Sequence, residues 1–264
     1  MAFDIDTFTS TSARVNWDDL DFDDFRTNPL PPQSLRSLRY MADVEYHTVC
    51  YLRDMLVTPS HTDREVTAFM TMWNREEYWH GEALAEVLAA HDVTLDFDQL
   101  KAKRLKLGWK DRLAPITQSL AANLVGADFI ALHMVWGAVN EWSAVAAYSR
   151  LAALEGHPVL AVLLQRIAKQ ESRHVAFYAT QARERLGRSR KAQKFARYAL
   201  THFWGPVGTG VMPESEVEHV MSHLFSGPDG REQVARIDAN VAKLPGLAGL
   251  TIVQDALDQR GIAA

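Results

Sequence analysis

Cysteine is almost missing from this chain: Cys50 is the only one in 264 residues. No internal disulfide can form, and the cysteine clusters of rubredoxin-type, iron–sulfur or structural zinc sites are excluded. The opening stretch MAFDIDTFTSTSARVNWDDLDFDDF lacks the basic and apolar segments of a secretory or transit signal, so a cytoplasmic location is expected. A long uninterrupted apolar run is also lacking. Leu120 to Val139 is nearly long enough to span a bilayer, but Asn123, Asp128 and His133 break it, and a buried helix explains it better. Positive charge is not in excess either. With 28 Lys and Arg against 33 Asp and Glu, the net charge is −5, which argues against wholesale binding to nucleic acid or to an anionic membrane. There is no flavin or nicotinamide glycine fingerprint, no convincing strand pattern, and no internal repeat beyond the coarse similarity of two helix pairs.

What the chain does have is helical periodicity. Residues 1–31, ending in NPLPP, read as an acidic N-terminal arm leading to a proline-marked helix start near Pro32. From 32 to 186 four long segments follow with few breakers, and residues 187–264 hold shorter helical candidates interrupted at WGPVGTGVMP, SGPDG and LPGLAGL. The first segment carries an apolar stripe of Leu35, Leu38, Ala42, Val49, Leu52 and Leu56; the second, of Val66, Met70, Trp73, Leu84 and Leu88. The third runs through Leu120, Leu124, Ala127, Ala131, Met134, Ala138, Val145 and Tyr148, and the fourth through Leu160, Leu164, Ile167, Tyr178 and Ala182. Steps of three and four residues make each stripe the seam of a packed helix. The expected fold is all-α: a four-helix bundle with additional C-terminal helices packed on it, the stretch LDFDQLKAKRLKLGWKDRLAP serving as a crossover connection.

Each seam is interrupted by acid. Glu45 lies in the first, Glu77 with His80 in the second, Glu141 in the third, and Glu171 with His174 in the fourth. A lone carboxylate facing a core costs several kcal/mol, and four at comparable depth would repel one another unless cations compensate. Two divalent ions would balance the four carboxylates and leave both imidazoles neutral. The i, i+3 spacing sets carboxylate and imidazole on one helix face, one turn apart, and mixed oxygen and nitrogen donors suit iron or manganese better than structural zinc. A further Glu-x-x-His, Glu216 with His219, falls beside its own stripe of Val217, Val220, Met221 and Leu224 and reads as structural.

Glu from two helices and Glu-x-x-His from two others resembles the ferritin-like di-iron carboxylate proteins. Within them, EEYWHGEAL and KQESRHVAFY are most similar to the soluble acyl-carrier-protein desaturases, over residues 32–186. The resemblance implies a ferritin-like bundle in which Glu45, Glu77, His80, Glu141, Glu171 and His174 hold two iron ions, with a mixed manganese–iron pair as the variant. It further implies dioxygen as co-substrate, electrons from a separate reductase, and removal of hydrogen from an acyl or similarly apolar substrate, giving desaturation or hydroxylation. The chain departs from the desaturases at Ala144, where they carry Thr, and at Gln170, where they carry an acid. Ile167 stands where the related arylamine N-oxygenases have an additional His. Alternatives are a ligand-binding or radical-generating oxidase, for which Tyr46, Tyr78 and Tyr178 are radical candidates, and a ferroxidase or peroxide scavenger.

Phe69, Trp73, Met134, Trp136, Trp142, Phe177 and Tyr178 lie near the ligands in sequence. They read either as core packing or as the wall of a dry substrate pocket. Two basic stretches stand out, one with Lys101, Lys103, Arg104, Lys106, Lys110 and Arg112, the other with Arg183, Arg185, Arg188, Arg190, Lys191, Lys194 and Arg197. They are either solvated helix faces or a docking surface for an acidic acyl carrier protein. Apolar positions such as Val44 and Val49 on either side of one helix allow a homodimer.

Overall fold

Prolines mark where long helices begin, because the ring fixes φ near its helical value and the missing N–H would be unpaired in a first turn anyway. In the computed structural model, which describes residues 3–95 and 122–262, helices open this way at Pro32, Pro158 and Pro228. No strand occurs among the described residues, and the all-α expectation holds. No helix among them is long and apolar enough to cross a membrane. The chain divides into two compact units, Ile5–Phe129 and Ile130–Ala264, the latter with Met1–Asp4.

The first unit contains α1 (Ile5–Thr11), α2 (Asp24–Thr27), α3 (Pro32–Met55), a 3-10 turn (Pro59–Thr62) and α4 (Arg64–Ala89). Asp63 caps α4, its carboxylate accepting from the N–H groups of Glu65 and Val66, both at 3.1 Å. This satisfies amides that the first turn would leave without partners. α3 packs along α4, and the two approach closely at Gly81, where a Cβ would stand 3.1 Å from the Tyr46 ring.

Residues 5–31 are built into this unit through their aromatic groups. Phe8 lies 5.2 Å from Phe69, and Phe25 lies 5.1 Å from His91. Arg75 donates to the Ser12 carbonyl at 2.9 Å, and the Leu30 N–H donates to His91 Nε2 at 3.0 Å. Phe8 and Phe25 are buried while Asp18, Asp19, Asp21 and Asp23 are exposed. Each buried ring contributes about 1.5–3 kcal/mol, which the acidic composition of the segment conceals.

The second unit contains α5 (Ala127–Glu155) from Ile130 onward, α6 (Pro158–Arg188), α7 (Arg190–Phe203), α8 (Glu214–Phe225), α9 (Gly227–Ala242) and α10 (Ile252–Gln259). Between α5 and α6, Gly156 takes φ +60° and His157 caps the next helix by accepting from the Leu160 N–H at 3.4 Å. Gly137 allows the tightest approach of α5 to α6, since a Cβ there would stand 2.2 Å from the Tyr178 ring. The buried Asp238 of α9 accepts from the N–H groups of Val253 and Gln254, each at 3.0 Å, and so caps α10 from a neighbouring helix.

Two expected stripes differ from the structure at their ends. Val49 and Leu56 at the C-terminal end of α3 are 47% and 46% exposed. Leu124 is 87% exposed, because Gly126, at φ +72°, breaks the helix before α5 and the stripe does not run through it.

Candidate metal centre

α3 supplies Glu45, α4 supplies Glu77 and His80, α5 supplies Glu141, and α6 supplies Glu171 and His174. None of these side chains belongs to a residue more than 6% exposed. The seam reading of the sequence therefore places all six inside. Among the described residues no Lys or Arg is buried alongside them, so no fully buried basic side chain offsets the carboxylates.

Helical spacing brings each Glu-x-x-His pair together. In α4 the His80 Nδ1 lies 3.3 Å from Glu77 Oε2. In α6 the His174 Nδ1 lies 2.8 Å from Glu171 Oε2 and 3.6 Å from Glu141 Oε2. In both helices it is therefore Nδ1 that is directed at carboxylate oxygen. Two overlapping groups result, in each of which every residue offers a ligand atom within 4.8 Å of the others: Glu45, Glu77, His80 and Glu171, and Glu77, Glu141, Glu171 and His174. Glu77 and Glu171 belong to both. Such a buried cluster could hold a metal ion, since carboxylate oxygen and imidazole nitrogen at this spacing are a hard, anionic donor set.

The remaining candidates divide. Phe69, Trp73, Met134, Phe177 and Tyr178 are buried, whereas Trp136 and Trp142 are half-buried. Their contacts are those of packing: Phe69 with Phe8, Trp73 edge-on to Tyr51 at 5.9 Å, and Phe177 with Phe3 at 5.2 Å. Of the second basic stretch, Arg183, Arg188, Arg190 and Lys191 are exposed and Arg185 is half-buried, donating to Gln181 Oε1 at 3.1 Å. Lys101, Lys103, Arg104, Lys106, Lys110 and Arg112 lie outside the described residues. Glu216 and His219 are half-buried on α8, where His219 stacks on His223 at 5.6 Å. The Ser143 hydroxyl donates to the Val139 carbonyl of its own helix at 2.8 Å.

Two polar groups named in the sequence gain their surroundings here. His133 is fully buried edge-on to Tyr178, with ring centroids 5.9 Å apart, and burial, helped by the charge of Arg185, pushes its pKa down to about 3. Its signal was available, as a polar residue set between Ala131 and Met134 in an apolar run. Tyr46 donates to Glu82 Oε1 at 2.7 Å, and burial, followed by that carboxylate, raises its pKa. Nothing in the local pattern distinguishes Glu82 from an ordinary surface acid.

Comparison of the chain with protein families, with curated proteins and with solved structures finds no match.

Proposed function

We propose that this chain is a ferritin-like, oxygen-dependent di-iron oxidoreductase that removes hydrogen from an acyl or similarly apolar substrate. The observation that carries the reading is the pair of overlapping buried groups sharing Glu77 and Glu171. Two divalent ions would suit such a donor set, because four carboxylates balance their charge. In this reading Glu45, Glu77 and His80 would hold one ion and Glu141, Glu171 and His174 the other. A bound iron pair would supply the oxygen-activating redox chemistry, while the chain supplies position, dryness and charge balance.

The buried rings of Phe177 and Tyr178 and the Met134 side chain supply apolar surroundings in which an organic substrate would be shielded from water. The exposed Arg183, Arg188, Arg190 and Lys191 would dock an acidic carrier in a salt-sensitive way, since exposed charges are screened beyond about 10 Å at moderate ionic strength.

The test is metal content. Chain purified after expression with added iron should hold about two iron or manganese ions, and Glu77→Ala/Glu171→Ala should hold none. Equal, near-zero content in both would end the reading. A radical-generating oxidase is the second reading, favoured by the hydrogen-bonded Tyr46 that follows Glu45. A tyrosyl signal in electron paramagnetic resonance after oxidation of the loaded chain, without consumption of any acyl substrate, would select it.

A further inference from the structure

From Tyr46 a row of aromatic rings leads outward through the first unit. The Tyr46 ring is 6.1 Å from Tyr78, Tyr78 is 5.3 Å from Trp79, and Trp79 is 6.2 Å from Trp17. Only the first ring is buried: Tyr46 is 7% exposed, Tyr78 is 44% exposed, and Trp79 and Trp17 are half-buried. The inner end abuts the backbone that carries His80, where the Tyr46 ring fills the space left by Gly81. The outer end is fixed by Arg14, whose guanidinium lies 4.1 Å from the Trp17 ring centre and 5.6 Å from that of Trp79. Arg14 in turn pairs with Asp18, so little net charge is left beside the two indoles.

Packing accounts for any one of these contacts. It does not account for the sequence of them, in which large aromatic side chains are spent at the surface in an unbroken series from a buried phenol that already has a carboxylate acceptor. Tyrosine and tryptophan are the side chains most readily oxidised by one electron. Tunnelling rates fall exponentially with distance, so several hops between neighbouring rings outrun one jump over the whole span.

We propose that Tyr46, Tyr78, Trp79 and Trp17 form a path for single electrons between the buried carboxylates of α3 and α4 and an external one-electron donor at the Trp17 surface. This deepens the di-iron reading and rests on it for its physiological oxidant, a transition-metal ion oxidised by dioxygen. One electron leaves Tyr46 for the oxidant, and the phenol proton moves to Glu82 along the existing 2.7 Å hydrogen bond. One electron then reaches Tyr46 from Trp79 by way of Tyr78, and the proton returns from Glu82. The vacancy, shared by Trp79 and Trp17, is filled by the external donor.

The path can be tested without the metal, so its failure and that of the metal assignment are separable. The full-length chain, as purified and again after chelation, would be oxidised from solution by flash-generated tris(bipyridyl)ruthenium(III) and followed by transient absorption and electron paramagnetic resonance. The expected result is a tryptophan radical that passes to a tyrosyl radical, the tyrosyl signal being lost in Tyr46→Phe. Its formation should slow about tenfold or more in Trp79→Phe, equivalent to a barrier increase of roughly 1.4 kcal/mol. Glu82→Gln, which keeps an acceptor but takes up no proton, should slow it too, whereas Tyr198→Phe, in the second unit, should not. An unchanged rate in Trp79→Phe, or an unchanged tyrosyl signal in Tyr46→Phe, would overturn the path. Trp79 and Glu82 are not fully buried, so their variants test the proposal even where Tyr46→Phe folds poorly.

Discussion

A histidine ring sealed from water resists protonation, and His133 carries that cost into the stability of the fold. Its pKa is about 3 in the folded chain against 6.5 for the exposed group. Between those values the unfolded chain binds more protons than the folded one. The contribution is therefore whole above pH 6.5 and is lost as pH falls toward 3, with a slope approaching about 1.4 kcal/mol per pH unit. Urea midpoints measured near neutrality and near pH 5 should fall more steeply for the native chain than for His133→Gln, and equal slopes would show that the ring does not stay neutral. Glycines give a second residue-level contrast. Alanine is worth about 1 kcal/mol more than glycine inside a helix, but at Gly137 its Cβ would meet the Tyr178 ring at 2.2 Å. Overpacking of that kind costs about 1–3 kcal/mol, so Gly137→Ala should lower the denaturation midpoint. At Gly81 the corresponding approach is 3.1 Å, and Gly81→Ala should come out near neutral. The six acidic and imidazole positions were readable one by one because each broke an otherwise apolar stripe. Glu82 was not, because its role depends on Tyr46 of another helix.

At the level of helices, what the sequence revealed followed the strength of the periodic signal. An expected start near Pro32 and an end near residue 186 compare with α3 from Pro32 and α6 ending at Arg188. These boundaries are written in proline, caps and apolar spacing, all of them local. The start of α5 was misplaced because an apolar run gives no sign of the left-handed turn at Gly126. The anchoring of residues 5–31 was missed because Phe8 and Phe25 find their partners in α4 and at His91, far along the chain. Caps belong to the same scale and differ in kind. Asp63 caps its own helix, and Asp63→Ala should cost about 1 kcal/mol. Asp238 is buried and holds two amides of a different helix, so Asp238→Ala removes a cap and a tether together. It should exceed Asp63→Ala by a further 1 kcal/mol or so in thermal or urea unfolding, since unpaired buried amides carry their own penalty. Equal costs would mean that α10 is held by its apolar contacts alone.

For the molecule as a whole, the cluster sets function against stability. Glu45, Glu77, Glu141 and Glu171 are buried with no buried Lys or Arg among the described residues. Gathering four carboxylates in a buried cluster has a cost that a bound metal would lower. Iron(II) or manganese(II), added anaerobically at about a hundred times its dissociation constant, should stabilise the fold by about 2.7 kcal/mol. For a chain of this size that raises Tm by roughly 5–10 °C. Glu77→Gln/Glu171→Gln keeps the shape of both shared side chains and removes their charge, and it separates this account from one in which the carboxylates are only structural. Freed of metal by chelation, the double variant should melt above the native chain, because two buried charges are gone. Given metal, it should gain little while the native chain overtakes it. The order of the two melting temperatures would then reverse on adding the ion, as expected where stability is sacrificed to a site that functions only when filled. If the native chain melts higher in both conditions, the carboxylates are already paired within the protein, and the metal assignment loses its physical basis.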